Sequence, residues 1–231
     1  MVSMAALVSV SATYGGAQTG SGTLLAQVDH LVYATPDLQA GVDRAEKLLG
    51  VRASPGGQHL GRGTRNALLA LGPGAYLEII GPDPEQPMPP QARPFRIDEL
   101  TEPTLVTWAV KTTDADGAAR AAAQRDVALG AVIDGSRRRS DGVMLSWRYT
   151  DPRAMPADGL IPFFIDWGRT PHPSATAAPG ATLVALRAEH PDAARVQAML
   201  GGAGIALDVR PGKSPALIAT VTGPRGRVDL R

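Results

Sequence analysis

His30 and Glu78 are the two residues of this 231-residue chain best suited to do chemistry together. His30 stands in the apolar run Val28-Asp29-His30-Leu31-Val32-Tyr33, and Glu78 in Tyr76-Leu77-Glu78-Ile79-Ile80. Side chains alternate along a strand, so His30 and Val32 face away from Leu31 and Tyr33, while Tyr76, Glu78 and Ile80 face away from Leu77 and Ile79. With a helix over the Leu31 and Leu77 face, the imidazole and the carboxylate meet on the concave side of the sheet. Such a pair can bind Zn²⁺, Mn²⁺, Fe²⁺ or Ni²⁺, and the metal can polarise a carbonyl or activate water. It can equally be a buried His–Glu hydrogen bond, or two separate polar groups lining a pocket.

Other residues compete for the same cup. His59 precedes Gly61 and Gly63, whose backbone tolerates tight turns, and Thr64 and Asn66 can donate to a ligand oxygen or satisfy the turn itself. Arg62 and Arg65 reach the rim or are simply solvated. Arg137 to Arg139 read either as a clamp for a carboxylate or phosphate or as an exposed strand end. Trp108, Trp147 and Trp167 suit a pocket for a planar substrate, and core packing accounts for them as well. His172, between two prolines, lies on a segment that folds over the cup as a lid or caps it, and His190 precedes Pro191 at the start of a helix.

These residues need elements to hold them, and the chain repeats one order of elements three times. In the first copy Val28 to Tyr33 is a strand, and Leu38, Val42, Ala45 and Leu49 mark a helix with Thr35 as N-cap, Pro36 at its first position and Gly50 at its stop. Asn66 to Leu71 and Tyr76 to Ile80 form a hairpin about Gly72-Pro73-Gly74. In the second copy Leu105 to Lys111 is a strand and Asp114 to Asp126 an alanine-rich helix. Ala131 to Ile133 follows, then an Asp141-Gly142 turn into Val143 to Tyr149, and Leu160 to Trp167 closes the copy. The third is shorter, with Leu183 to Leu186, a helix over Pro191 to Leu200, then Ala206 to Val209, Ala216 to Val221 and Arg227 to Leu230.

The pattern predicts an α+β fold of βαβββ modules forming a cupped, mixed or antiparallel sheet with helices on its outer face. The modules span 27–82, 104–169 and 181–231, joined by a Pro-rich linker at 83–103 and a second linker at 170–180. Units of this length usually need a partner to bury a sheet face. With copies one and two forming the cup, the third packs alongside or pairs with its mate in a homodimer.

Composition narrows the partners. A hydrophobic fraction of 44% supports a sizeable core, and a net charge of +1 with scattered arginines and few aromatics argues against nucleic acid. The absence of cysteine rules out disulfides and thiolate chemistry. Residues 1–26 read as a disordered or mis-assigned extension, since no basic residue precedes their short apolar run. No later run reaches the ~18 uncharged apolar residues of a membrane span, so the expectation is a cytoplasmic protein whose partner is a small molecule.

The βαβββ order, with His in the opening strand and Glu in the closing one, resembles the vicinal oxygen chelate superfamily. Gly57-Gln58-His59, Gly63-Thr64-Arg65-Asn66 and Tyr76-Leu77-Glu78-Ile79-Ile80 look like its glyoxalase-like domain branch. The likeness covers Val28 to about Trp167. It implies a two-module cup whose metal takes ligands from both modules, in glyoxalases, ring-cleaving dioxygenases and epimerases, alongside metal-free drug-binding proteins. His30 and Glu78 match the ligand positions of the first module. In the second, Thr107 falls opposite His30 and Asp166 near the place of Glu78, so the four-ligand pattern is broken. Asp166 as a third metal ligand and His59 as a further nitrogen are what the resemblance leaves. The expected catalytic residues are Glu78, His30 and His59, and the substrate contacts Thr64, Asn66, Tyr76, Trp108, Trp147, Asp166 and Trp167. The expected function is that of a lyase or isomerase acting on a small oxygenated molecule with a divalent metal. The alternative is a metal-free binding protein, or an acid–base enzyme using the same cup.

Overall fold

A computed structural model describes residues 21–139 and 141–231. The first module runs β1 (Val28–Ala34), α2 (Leu38–Leu49), β2 (Ser54–His59), β3 (Thr64–Ala70) and β4 (Tyr76–Pro82), preceded by a short helix α1 (Ser21–Gln27). The second runs β5 (Thr104–Lys111), α3 (Ala115–Ala123), β6 (Val132–Arg139), β7 (Met144–Thr150) and β8 (Phe163–Asp166). The third is β9 (Thr182–His190), α4 (Ala193–Gly202), β10 (Asp208–Pro211), β11 (Ala216–Gly223) and β12 (Gly226–Leu230). All three copies thus have the βαβββ order.

The cup is closed. Modules one and two form an eight-stranded barrel in the order β1-β4-β3-β2-β6-β7-β8-β5, and module three adds a separate sheet, β10-β9-β11-β12. Each barrel half holds one parallel pair, β1 with β4 and β5 with β8. The halves join along β1–β5 and, among the described residues, along β2–β6 through only Gly57↔Arg139 and Gln58↔Arg138.

Local chemistry explains the helix that positions the site. Asp37, rather than Thr35, is the N-cap of α2: it has extended backbone and accepts from the Ala40 amide at 2.9 Å. Pro36 therefore lies outside the helix, and the Thr35 hydroxyl donates to the Asp37 carbonyl. Gly50 ends α2 in the left-handed conformation that glycine adopts without strain. Val42, Ala45 and Leu49 are buried with Leu31, Leu77 and Ile79 on the outer face of the barrel. Each fully buried Val or Leu contributes about 1.5–3 kcal/mol, which fixes the face that β1 and β4 turn inward.

The third module packs alongside the barrel within the chain. Leu183, Leu186, Leu217, Val221 and Leu230 belong to the same core as Leu31, Leu49 and Trp108, and the Leu105 amide donates to the Arg231 carbonyl at 2.9 Å. The end of the N-terminal extension is ordered as α1, because Leu24 finds a place in this core; residues 1–20 lie outside the described residues. The Pro-rich linker carries a 3₁₀ turn, Pro94–Glu99, that sets the buried Phe95 against Phe163 at the end of the barrel. Phe95 and Arg96 both have positive φ (62° and 53°), an arrangement costing about 1–2 kcal/mol per residue that the packing of Phe95 offsets. Among the described residues no helix is long and apolar enough to cross a membrane.

Candidate functional site

The alternation that buries Leu31 and Leu77 under α2 turns His30 and Glu78 into the barrel, where they line one cavity with His59, Arg62, Thr64, Tyr76, Trp147, Tyr149, Phe163 and Trp167. The cavity holds about 40 Å³ of free space, enough for a water or two as it stands. His30 stacks on Tyr76 with ring centroids 4.7 Å apart and meets Phe163 edge-on.

Glu78 sits between two imidazoles. His30 Nε2 is 3.8 Å from its Oε2, and His59 Nε2 is 3.7 Å from its Oε1. Each ring is held by its other nitrogen. His30 Nδ1 lies 2.7 Å from Asp29 Oδ1, and His59 Nδ1 lies 3.1 Å from the Thr64 hydroxyl. Asn66 Nδ2 donates to Glu78 Oε1 at 2.5 Å and approaches His59 Nε2 at 3.5 Å. The amide is fixed in that orientation because Arg137 Nη1 donates to its Oδ1 at 2.9 Å. Gly56 makes the contact feasible: a Cβ there would collide with both Asn66 Oδ1 and Arg137 Nη1.

Burial sets the charges. Desolvation, opposed by Glu78 and reinforced by Arg137 and Arg62, brings the His59 imidazole down to about 4, so it is a neutral acceptor at ordinary pH. For Asp29, burial is the largest single influence and raises the carboxyl. The hydrogen bonds and charges of His172 and His30 together outweigh it and bring the group down to about 2. Asp29 also accepts from Trp167 Nε1 at 3.0 Å and lies 3.1 Å from His172 Nε2, so it ties the end of the barrel to the segment after β8.

Of the residues expected from sequence, His30, His59, Thr64, Tyr76, Glu78, Trp147 and Trp167 come together at the cavity, and Asn66 joins them through Glu78. Two do not. Trp108 pairs with Leu31 in the β1–β5 register and shares its outward face. It is fully buried in the core outside the barrel, with Nε1 donating to the Leu160 carbonyl. Asp166 follows the inward-facing Ile165 and so turns away from the cavity, accepting from the Gly168 amide at 2.8 Å. Asp29 and Tyr149 were not foreseen, and Arg137 was foreseen only as one of two alternatives. A β-bulge between Val28 and His30 breaks the alternation and leaves Asp29 buried beside His30. Arg137 is 3% exposed and points inward rather than marking a solvated strand end. Tyr149 meets Arg62 through both its hydroxyl and its ring face. Arg137 and Arg139, two apart on β6, share a parity that Arg138 lacks, and that parity is the sequence signal for an inward arginine.

The arrangement does not suit the divalent metal that the superfamily likeness implies. Thr107 is committed to the Gly159 carbonyl at 2.8 Å, and Asp166 faces away. Asn66 sets a hydrogen-bond donor against the oxygen and nitrogen that a metal would take, with the Arg137 cation behind it. Among the described residues, no group of three or more His, Cys, Asp or Glu is arranged to hold a metal ion.

Comparison with known proteins agrees with the fold. No curated protein matches the chain. A hypothetical protein from Staphylococcus aureus has a similar structure, with a TM-score of 0.57 and 13% identity over 82% of this chain and 87% of that one. Methylmalonyl-CoA epimerase from Mycobacterium tuberculosis aligns with a TM-score of 0.39 and 18% identity, over 66% of this chain and 93% of that one. A variant of the Streptomyces coelicolor methylmalonyl-CoA epimerase in complex with 2-nitronate-propionyl-CoA gives 0.40 and 22%, over 61% and 96%. A family profile described as a glyoxalase-like domain matches residues 28–203, most of the chain. With its paired βαβββ modules and that match, the chain belongs to the glyoxalase-like domain family of the vicinal oxygen chelate superfamily.

Proposed function

We propose that this chain is an acid–base enzyme of the isomerase or lyase type that moves a proton on the carbon beside a carbonyl of a small oxygenated molecule. The observation that carries the reading is Glu78, 7% exposed, with one oxygen fixed by Asn66 and the other turned toward His30 Nε2. A carboxylate held in this way has one free lone pair to use as a base. Glu78 Oε2 takes the proton, the C–H electron pair moves onto the carbonyl oxygen, and protonated His30 donates from Nε2 to the enolate oxygen. Return of a proton to a different face or carbon completes an isomerisation; departure of a β-substituent completes an elimination. Asp29, accepting from Nδ1–H, directs Nε2 into the cavity and stabilises the imidazolium, a positioning role. No step needs a metal.

The test is solvent-exchange NMR on a panel of small 2-oxo acids, 1,3-dicarbonyl compounds and hydroxyketones in D₂O. Deuterium should enter the carbon beside the carbonyl with wild-type protein. Glu78→Gln should lower the rate by about 10²–10⁴-fold, and a chelator should leave it unchanged. Exchange that survives Glu78→Gln, or that vanishes with chelator and returns with Zn²⁺ or Mn²⁺, sinks the proposal. Binding without exchange across the panel would favour the sequestration reading of the same cup.

A further inference from the structure

The cations of the barrel interior are unequally matched. Asp29 is hydrogen-bonded where it stands with His30, His172 and Trp167. Glu78 takes the Asn66 amide, with the Arg137 guanidinium directly behind it. Arg62 remains. It leaves the β2–β3 turn between Gly61 and Gly63, both at positive φ (75° and 64°), and lines the cavity rim beside His59 and Thr64. Its Nη1 donates to the Tyr149 hydroxyl and its Nη2 to the Asp134 carbonyl at 3.1 Å, and both acceptors are neutral. Burial pushes the Tyr149 phenol up to about 12 against the pull of Arg62, so the phenol does not become the missing anion. Among the described residues, no carboxylate lies within ion-pair distance of Arg62.

A guanidinium carries five N–H donors, and this one spends two on neutral oxygens while keeping its whole charge. Phe95, Phe163, Trp147, Trp167 and Ile165 form the apolar part of the wall, beside the polar His30, His59, Thr64 and Glu78. A half-buried, uncompensated cation at the rim of a cavity walled in part by these apolar groups is matched by a ligand with one anionic oxygen pair and a compact apolar body. We propose that the ligand of this site is a small monocarboxylate whose carboxylate pairs with Arg62, displacing its bond to Tyr149 or to Asp134, while the body enters toward Phe163. This rests on the acid–base reading for the chemistry that follows, but concerns binding alone. The carboxylate at the rim then leaves the adjoining carbons to the Glu78 and His30 side of the cavity.

The experiment is a ligand-observed NMR screen of matched fragments, each a small carboxylic acid beside its methyl ester or primary amide. It is run on Glu78→Gln protein, so that failure of the proton-transfer reading leaves the binding result intact. Acids should be preferred over their neutral partners, and adding Arg62→Met should weaken acids about tenfold to a hundredfold, with neutral hits and the melting temperature little changed. Tyr149→Phe, which removes one neutral partner but keeps the cation, should retain the preference for acids. Equal binding of acids and esters, acid binding indifferent to Arg62→Met, or no binding of any acid overturns the proposal.

Discussion

At the scale of single residues, the site is a set of groups whose second atoms are already taken. Glu78 keeps one oxygen free because Asn66 holds the other, and Asn66 holds it because Arg137 fixes the amide. The titrations follow from burial. The native state refuses a proton at His59 until about pH 4, whereas the unfolded chain accepts one near its ordinary 6.5. Stability from this group is therefore complete above pH 6.5 and declines as pH falls toward 4, by about 3 kcal/mol. Urea unfolding from pH 7.5 to 4.5 should show that decline in wild type and a shallower one in His59→Gln; equal slopes would refute the assignment. Asp29 works in a lower window. Its carboxyl is brought below the ordinary 3.8 to about 2, so its contribution is present above pH 3.8 and is lost as pH falls through 2. The pairing of His30 with Glu78 was legible from strand parity alone. Asp29 was not, because a bulge suspends parity, and a sequence carries no mark of one without the partner strand.

At the scale of elements, β2 carries the tightest constraint. Its bulge between Pro55 and Gly57 sets Gly56 against the Asn66–Arg137 contact, where nothing larger than hydrogen fits. We expect Gly56→Ala to cost about 1–3 kcal/mol in urea unfolding. The same change should weaken the hold on Glu78, so proton exchange should fall further than stability explains. Unchanged exchange in a folded Gly56→Ala protein would show that Asn66 is not set by this contact. The strands and helices themselves were largely readable, since the alternation of β1 and β4 and the glycine stop of α2 are local signals. The linkers were less so. Pro94–Glu99 and the His172 segment take their places from contacts with Phe163, Asp29 and Tyr76, which lie far away in sequence. The assignment of Trp108 and Asp166 to the site failed for one reason: residue type was followed where parity placed both outside.

At the scale of the molecule, the odd module is spent within the chain. Its apolar face continues the core over β1 and α2, so that face is not available to a second copy. A chain ending at Gly180 would lose the packing of β11 and β12 against β5 and α2 and the bond from Leu105 to Arg231. Such a truncation should yield insoluble or molten protein, whereas full-length protein should unfold in a single calorimetric transition. A well-folded 21–180 fragment would contradict this. Three copies could be counted from the sequence, but not how the third is used, because an apolar sheet face looks the same whichever partner covers it. The barrel also has an asymmetry of attachment. Among the described residues, seven residue pairs join β3 to β4, but two join β2 to β6, where Gly57 and Gln58 meet Arg139 and Arg138. Two pairs also join β7 to β8, whereas seven join β6 to β7, so the β6–β7 hairpin is a panel fastened lightly along both of its long edges, and it carries Trp147 and Tyr149 of the cavity wall.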